Sequence, residues 1–446
     1  MRKPTFRGGV HPYDGKDISK DKPTVKLKPG KKLIFPMTQH IGAPAKPIVE
    51  PGDRVLVGQK LAEASGFVSS CICSSVSGTV TGVGPALIAS GSEVEAVFVE
   101  NDDMYETIPG LGEHRDYTAL SKQEIRDIVK EAGIVGMGGA GFPTFIKLTP
   151  KDDDAIDTVI VNGSECEPYL TSDYRMMIEE PEKVIGGLKI ILKLFDRARG
   201  VIAIEDNKPR CIELLSGMVK DEPRISVLPV KTKFPEGSER QLIYAVTGRK
   251  INSSILPADK GCVVNNIDTV IAIHMAVTER TPLIRRIVTV AGPAIASPQN
   301  FAVRTGTSYR EVLEAAGGFK SDPVKLISGG PMMGAAIFTL DFPVTKISSS
   351  LLAFTEDPVG SMPAGPCINC GRCVSVCPSR LIPKMMMDYA ERFKDGKFED
   401  IGGMECMACG CCTYVCPAGR MMTQAFNRAR KSVADARRAA ASKSAG

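Results

Sequence analysis

The 446-residue chain contains no tryptophan, and aromatic residues make up only 6% of it. With so few rings, a surface that stacks nucleic-acid bases is not expected. Charge of one sign is lacking too: 56 Lys and Arg oppose 51 Asp and Glu, and the net +5 is too weak to argue for nucleic acid. Long apolar runs are missing. A membrane span needs about 18 to 20 apolar residues, and the best run, Val184 to Phe195, is broken by Lys189 and Lys193. Met1 to Val10 carries charge without an apolar core, so it does not read as a secretory signal. Only four His occur, His11, His40, His114 and His274, and none pairs with a nucleophile pattern, which leaves hydrolysis without support. A cytoplasmic, reducing compartment is the default. There, many cysteines mean metal or redox chemistry more often than disulfides.

Cysteine is what the chain does have, 14 in all, with nine of them between Cys367 and Cys416. They form two blocks, Cys367-x2-Cys370-x2-Cys373-x3-Cys377-Pro378 and Cys406-x2-Cys409-x2-Cys412-x3-Cys416-Pro417, the second repeating the first spacing for spacing. This is the pattern of two-cluster bacterial ferredoxins, in which three close thiolates hold one cubane and the fourth reaches the other. The spacing therefore assigns Cys367, Cys370, Cys373 and Cys416 to a first [4Fe–4S] cluster, and Cys406, Cys409, Cys412 and Cys377 to a second. Zinc modules instead show paired knuckles separated by a longer loop. Cys411 breaks the spacing and reads as a bystander thiol. Cys71, Cys73, Cys166, Cys211 and Cys262 are scattered and read as core or surface thiols, with Cys71 and Cys73 on one strand face.

The chain as a whole is 43% hydrophobic and 24% charged, which is globular, and its 43 Gly and 31 Pro imply many short elements. At about 150 residues per domain, several domains are expected. Residues 1–118 read as β-rich, with short apolar runs at Lys32–Phe35, Arg54–Val57 and Glu93–Val99. Val49 to Leu61 and Ser75 to Val80 resemble the hairpins of biotinyl and lipoyl carriers. The stretch between them, Ser65 to Ser74, has no lysine to modify, so a barrel-sandwich scaffold is expected and not a swinging arm. Residues 119–279 read as an α/β unit. Ser121 and Glu124 form a capping box, and strands at Thr158–Val161, Val201–Ile204, Ile225–Val230 and Val263–Val264 alternate with helices at Pro181–Phe195, Glu239–Val246 and Asp268–Val277. Residues 280–345 read as a small β-grasp unit, 346–430 as the ferredoxin-like unit, and 431–446 as an Ala-rich basic tail, either a solvated helix end or a contact for anionic lipid or an acidic partner.

A glycine-rich loop, Gly133-Ile-Val-Gly136-Met-Gly138-Gly139-Ala140-Gly141-Phe142-Pro143-Thr144, precedes Lys147. Such a loop lets backbone N–H groups approach a ligand, and the lysine can neutralise phosphate. No strand leads into it, so it is not the ordinary dinucleotide fingerprint. Three polar segments, Asn162 to Pro168, Phe234 to Glu239 and Asn265 to Thr269, each follow a predicted strand, at the carboxyl edge where open α/β sheets bind ligands.

These segments resemble the NADH- and FMN-binding subunit of respiratory complex I and the related flavin subunits of soluble hydrogenases and formate dehydrogenases. Over residues 1 to about 430 the chain is similar to the C subunit of the membrane-bound Rnf ferredoxin:NAD+ oxidoreductase. The opening Phe6-Arg7-Gly8-Gly9-Val10-His11-Pro12, Gly138 to Thr144, Ser328-Gly329-Gly330-Pro331-Met332-Met333-Gly334 and both Cys blocks match in order. The resemblance implies a multidomain α/β protein: a barrel-sandwich domain, a Rossmann-like flavin/NADH domain, a β-grasp domain of SLBB type and an α-helical two-cluster ferredoxin-like domain. It implies FMN on Gly136, Gly138, Lys147, Asn162, Glu165, Asn265, Asn266 and Thr269, and NAD(H) on Phe142, Glu167 and Glu239. The complex I loop carries Arg where this chain has Met137, and an acid where it has Ser164. A nicotinamide exchanges two electrons and a cubane one, so a flavin belongs between them. No side chain is expected to be catalytic in its own right. The implied role is a peripheral subunit on the cytoplasmic side of the cell membrane, exchanging electrons between NAD(H) and ferredoxin through partner subunits of an ion-translocating complex. A flavin subunit of a soluble electron-bifurcating dehydrogenase or hydrogenase is the alternative.

Overall fold

The computed structural model describes residues 3–444 and side chains as far as residue 440; Met1, Arg2, Ala445, Gly446 and the side chain of Lys443 in the basic tail lie outside it. Its strands form four sheets among the described residues.

Two of them are antiparallel and belong to the N-terminal unit. One runs in the order Lys32–Pro36, Glu93–Asn101, Gly78–Leu87, Arg54–Val55, and the other joins Lys46–Pro47, Lys60–Glu63 and Ile72–Cys73. Their inner faces share one core that includes Leu33, Phe35, Val55, Leu61, Ile72, Val80, Val97 and Val99. Alternation fixes this: along Glu93–Asn101, Val97 and Val99 point inward while Glu100 remains exposed. Cys71 and Cys73 are both buried.

The third sheet is wholly parallel, in the order Ile225–Val230, Arg199–Glu205, Thr158–Gly163, Cys262–Asn266. Both of its faces are covered, so its strands are nearly continuous apolar runs. Val159, Val161, Ile202 and Ile204 face the helices Pro181–Leu194 and Ile267–Thr278. Ile160, Ala203 and Val264 face the helix Glu239–Thr247. Fully buried residues such as Ile191 contribute most here, and truncating one to Ala costs about 2–5 kcal/mol. The expected capping box is present, with Ser121 Oγ accepting from Glu124 N at 3.2 Å and Glu124 Oε2 accepting from Ser121 N at 2.7 Å. Two further helices, Ser172–Glu179 and Pro209–Met218, are not signalled by the sequence pattern.

The fourth sheet has six strands in the order Val25–Lys26, Gln299–Arg304, Arg285–Ala291, Ser350–Phe354, Lys325–Ser328, Ala335–Ile337, with the helix Tyr309–Ala315 packed on it. This sheet does not stop at residue 345. Ser350–Phe354 is one of its central strands, and Val25–Lys26 joins it from the far end of the chain.

Helices make up the C-terminal unit: Arg372–Val376, Pro383–Glu391, Asp395–Asp400, Cys411–Tyr414 and Met422–Ser444. They pack around Met386, Ala390, Phe398, Met422 and Phe426. The last helix crosses residue 430 without a break, since no Gly or Pro interrupts it. Among the described residues, no helix is long and apolar enough to cross a membrane.

Lys346 joins three of these units. Its buried amine donates to Cys71 O of the barrel-sandwich unit, to Gly133 O of the α/β unit at 2.6 Å, and to Ser70 Oγ at 3.3 Å.

Candidate functional site

Both cysteine blocks fold into the same loop. Asn369 and Ala408, each two residues after the first Cys, take left-handed φ values of 55° and 55°. Gly371 and Gly410 open the short helices that carry the third Cys of each block. Each turn points its thiols inward, and backbone N–H groups meet the sulfurs: Leu381 N lies 3.3 Å from Cys377 Sγ, and Ala408 N lies 3.5 Å from Cys406 Sγ. Such donors stabilise a thiolate and tune a cluster.

Two cavities result. Cys367, Cys370, Cys373 and Cys416 line one, with Ile368, Val374 and Arg420. Cys406, Cys409, Cys412 and Cys377 line the other, with Met386 and Phe426. Among the described residues, no three Cys, His, Asp or Glu side chains gather closely enough to hold a single metal ion. Four thiols spread around a cavity suit a cubane better than one ion. Cys411 also borders the second cavity; its Sγ lies 3.9 Å from Phe234 O and beside the Cys409 thiol.

The second cavity faces the α/β unit. Cys409 and Cys411 pack in one apolar cluster with Val10 and Phe234, against half-buried Cys166 and Met332. Arg240 donates to Glu405 at 3.0 Å, and Ser253 N donates to Glu405 Oε2 at 2.8 Å, across the same seam. Cys370, in the first cavity, is exposed.

The strand order of the parallel sheet places its topological switch between Thr158–Gly163 and Cys262–Asn266. Connections leave in opposite directions there and open a crevice at the carboxyl ends. Asn162, Glu165, Asn265 and Asn266 lie at the ends of those two strands or just beyond them. Asn162 Nδ2 donates to Gly237 O at 2.7 Å. Asn266 caps the helix Ile267–Thr278 through Asp268 N at 2.9 Å and donates to Asp173 Oδ2 at 2.6 Å. Glu165 caps the helix Ser172–Glu179 by accepting from Asp173 N at 2.7 Å and Tyr174 N at 3.3 Å. The glycine loop lies on this edge. Met137 N donates to Thr269 Oγ1 at 3.0 Å, Gly138 rests on the Asn266 side chain, and Gly136 N donates to Phe142 O at 2.9 Å. Lys147 donates to Glu239 Oε1 at 2.9 Å and to Val264 O at 3.2 Å. Glu167 is turned onto the Ser328–Gly334 turn, where Met332 N donates to Oε2 at 3.0 Å. A Cβ at Gly330 would lie 2.2 Å from that carboxylate, so any larger residue there would push the Glu167 side chain aside.

Acid is concentrated here. Burial pushes the Asp173 carboxyl up to about 8, helped by its neighbours Glu165 and Asp268 and opposed by the Asn266 amide. Burial raises Glu165 as well, against the pull of Lys16 and Lys208. Glu167 is raised by burial to about 7. The buried Lys16 amine, whose pKa burial lowers, donates to Glu167 O at 2.9 Å and sits 4.0 Å from Glu165.

Four family models match the chain: the RnfC barrel sandwich hybrid domain over residues 4–104, the Nuo51 FMN-binding domain over 129–275, the SLBB domain over 287–336 and the 4Fe-4S dicluster domain over 366–420. The chain is 44% identical to the C subunit of the proton-translocating ferredoxin:NAD(+) oxidoreductase complex of Clostridium ljungdahlii, over 86% of this chain and 83% of that one. It is 42% identical to the C subunit of the Na(+)-translocating complex of Acetobacterium woodii, over 97% of this chain and 98% of that one. The chain belongs to this C-subunit family. The C subunit of the ion-translocating oxidoreductase complex of Pseudomonas aeruginosa is 40% identical over 86% of this chain, which spans half of that longer protein. An NAD+-reducing [NiFe]-hydrogenase in its air-oxidized state shares the fold over 64% of this chain and 55% of its own, with a TM-score of 0.51 at 19% identity.

Membership of this family favours the ion-translocating reading over the soluble one. An FMN-binding domain and a 4Fe-4S dicluster domain are both present. Sequence reasoning missed Asp173 and Arg286, and gave Asp268, inside the Asn265–Thr269 segment, no role of its own. Arg286 Nε donates to Ser348 O at 2.9 Å and Nη2 to Met137 O at 3.2 Å, while Nη1 pairs with Asp268. A guanidinium thus reaches the glycine loop at Met137 from another unit. The available signal was an arginine set among apolar residues in Leu283 to Ala291, an inward-facing charge on a strand.

Proposed function

We propose that this chain is the peripheral electron-transfer subunit of a membrane-bound, ion-translocating complex, exchanging electrons between NAD(H) and ferredoxin through FMN and two [4Fe–4S] clusters. Family membership supports the complex; the residue roles and the cytoplasmic placement are part of the proposal.

One observation carries it. Both polar atoms of the Asn265 amide are buried and find no protein partner, and neither do Thr144 Oγ1, beside the glycine loop, and Ser164 Oγ, beside Asn162. Buried amides are almost always bonded, so such orphans call for a ligand. The donor set suits FMN: Gly136 and Gly138 offer close backbone approach, Lys147 a phosphate partner, and Asn162, Glu165, Asn265, Asn266 and Thr269 hydrogen bonds to ring and ribityl groups. Phe142, half-buried beside the loop, offers a stacking face for NAD(H), and Glu239 and Glu167 carboxylates for hydroxyl groups. Glu167 Oε1 is buried and unpartnered, and so free to accept.

Bound FMN supplies the exchange between a two-electron hydride and the single electrons a cubane carries. The chain's own groups orient and shield. The crevice carboxyls, raised by burial, keep negative charge low beside an anionic phosphate. The thiols of Cys367, Cys370, Cys373 and Cys416 suit one cubane, those of Cys406, Cys409, Cys412 and Cys377 the other. Other subunits of the complex are the partners that tie the chain to the membrane.

An anaerobic preparation assayed for iron, sulfide and flavin, and for bleaching by NADH, tests the reading. About eight irons per chain with one FMN are expected from two cubanes. Cluster-loaded protein that neither binds FMN nor responds to NADH would refute it.

A further inference from the structure

The segment Phe6-Arg7-Gly8-Gly9-Val10 supplies no thiol and no crevice side chain, yet it is tied down on both sides of Arg7. Lys3 pairs with Asp206 at 2.8 Å, Thr5 Oγ1 donates to Glu236 Oε2 at 2.7 Å, and Lys233 Nζ donates to Phe6 O at 2.7 Å while lying 4.1 Å from the Phe6 ring centre. Val10 and Phe234 exchange two backbone hydrogen bonds of 2.9 Å each. Further on, Tyr169 N donates to Asp14 O at 2.6 Å, and Lys16 reaches Glu167 O. Both ends of the strap are therefore anchored on the α/β unit.

Its middle touches the iron–sulfur unit. Gly9 N donates to Val376 O at 2.8 Å, at the end of the helix that leads into Cys377. Gly8 and Gly9 have φ of +95° and +77°, a region that favours glycine. Space forbids anything else as well. A Cβ on Gly8 would lie 2.9 Å from Cys377 O and 2.9 Å from Val376 O, and one on Gly9 would lie 2.6 Å from Phe234 O. Val10 then enters the apolar cluster that holds Cys409. The strap is thus wedged between the α/β unit and the backbone of one particular ligand residue. Cys377 is the member of the second cavity that comes from the other block, so its height is set by the helix Arg372–Val376 and by what packs on that helix, the strap included.

We infer that Gly8 and Gly9 are positioning residues for the second cluster: the strap fixes the backbone of Cys377 so that its thiolate meets the three from Cys406, Cys409 and Cys412. The inference rests on the crossed ligation proposed above.

The test uses the full chain, reconstituted anaerobically, as Gly8→Ala and Gly9→Ala. Each cluster is followed by iron content, low-temperature EPR and a redox titration of its midpoint potential; FMN binding and circular dichroism report the fold. Gly52→Ala is the control for backbone strain, because Gly52 has φ +98° but nothing within 4 Å of its Cβ position. Cys370→Ala and Cys377→Ala identify which signal belongs to which cavity. The expected result is a lost or shifted second-cluster signal in both strap variants, with the first cluster and FMN binding at wild-type level. Phe6→Ala loosens the strap without touching Cys377 and should give a smaller shift of the same signal. Should the glycine variants fail to fold, Phe6→Ala decides: a selective shift supports the inference, and an unchanged second-cluster potential overturns it. Equal damage to both clusters overturns it too. If Cys377→Ala removes the first cluster instead, the crossed ligation itself has failed, which is a different result.

Discussion

Cys377 lines a cavity with Cys406 and not with Cys373, which lies one helical turn before it. The short helix Arg372–Val376 carries the chain from one cavity to the other, so that each block supplies the other's fourth thiol.

Cys377→Ala should therefore damage the cluster held by the second block and spare its own. Cys373→Ala should do the reverse. EPR of the reduced variants reads this directly. Two self-contained blocks, each losing only its own signal, would rule out the ferredoxin-like arrangement.

Lys147 and Glu239 are a half-exposed pair at 2.9 Å, with side chains 26% and 39% accessible. Such a pair is worth ~1 kcal/mol or less to the fold. A hydrogen bond from a charged group to a phosphate is worth about 1.5–3 kcal/mol. Lys147→Ala should thus barely change thermal stability while weakening FMN about ten- to a hundredfold by calorimetry. Glu239→Gln should leave FMN within about threefold and chiefly raise the KM for NADH, since its loss frees the lysine. If both variants lost both ligands to the same extent, the two roles would be wrongly divided.

Glu236 is fully buried, accepts from Thr5, and has one carboxylate oxygen without a partner. Burial raises its carboxyl to about 8 from an ordinary 4.5. In the unfolded chain the group ionises first, so its contribution to stability is full below about pH 4.5 and is lost as pH rises through about 8. Glu236→Gln has no proton to lose. Thermal melts should find the two proteins alike near about pH 5 and the variant the more stable near about pH 8.5. A constant difference across that range would mean that Glu236 stays charged when folded.

Basic residues of the last helix are partly spoken for. Arg437 pairs with Glu399, Arg438 with Asp435, and Arg428 stacks on Phe393 at 4.4 Å. Free Lys or Arg near anionic lipid contributes ~1 kcal/mol each, screened by salt. Co-expressed with its partner subunits, the chain should sediment with membranes and remain there in high salt. Deleting residues 432–446 should not release it. Release by either treatment would point to a lipid-bound tail.

What was legible in the sequence was local. The cysteine spacing, the Ser121–Glu124 box and the apolar runs of the parallel sheet each declare themselves within a dozen residues, because a loop, a cap and a buried strand are set by near neighbours. The helix Ser172–Glu179 was not legible: Thr171 gives it no side-chain cap, and Glu165 supplies the cap from a preceding loop. Nor was the sheet role of Ser350–Phe354, whose partners lie far away in sequence. Asp173 and Arg286 were missed for the same reason. Their chemistry comes from Asn266, Asp268 and Met137, on other elements.

The N-terminal strap has a consequence for synthesis. Its residues are made well before the groups that hold them, Asp206, Phe234 and Val376. At roughly 5–20 residues per second the wait for Val376 is on the order of tens of seconds. The anchors on the α/β unit, as far as Glu236, can form well before that, but the contact of Gly9 with Val376 can close only after the helix leading to Cys377 exists. Closure of the strap onto Val376 thus marks completion of that helix, and a nascent chain stalled before Val376 would lack the strap's contact with the iron–sulfur unit.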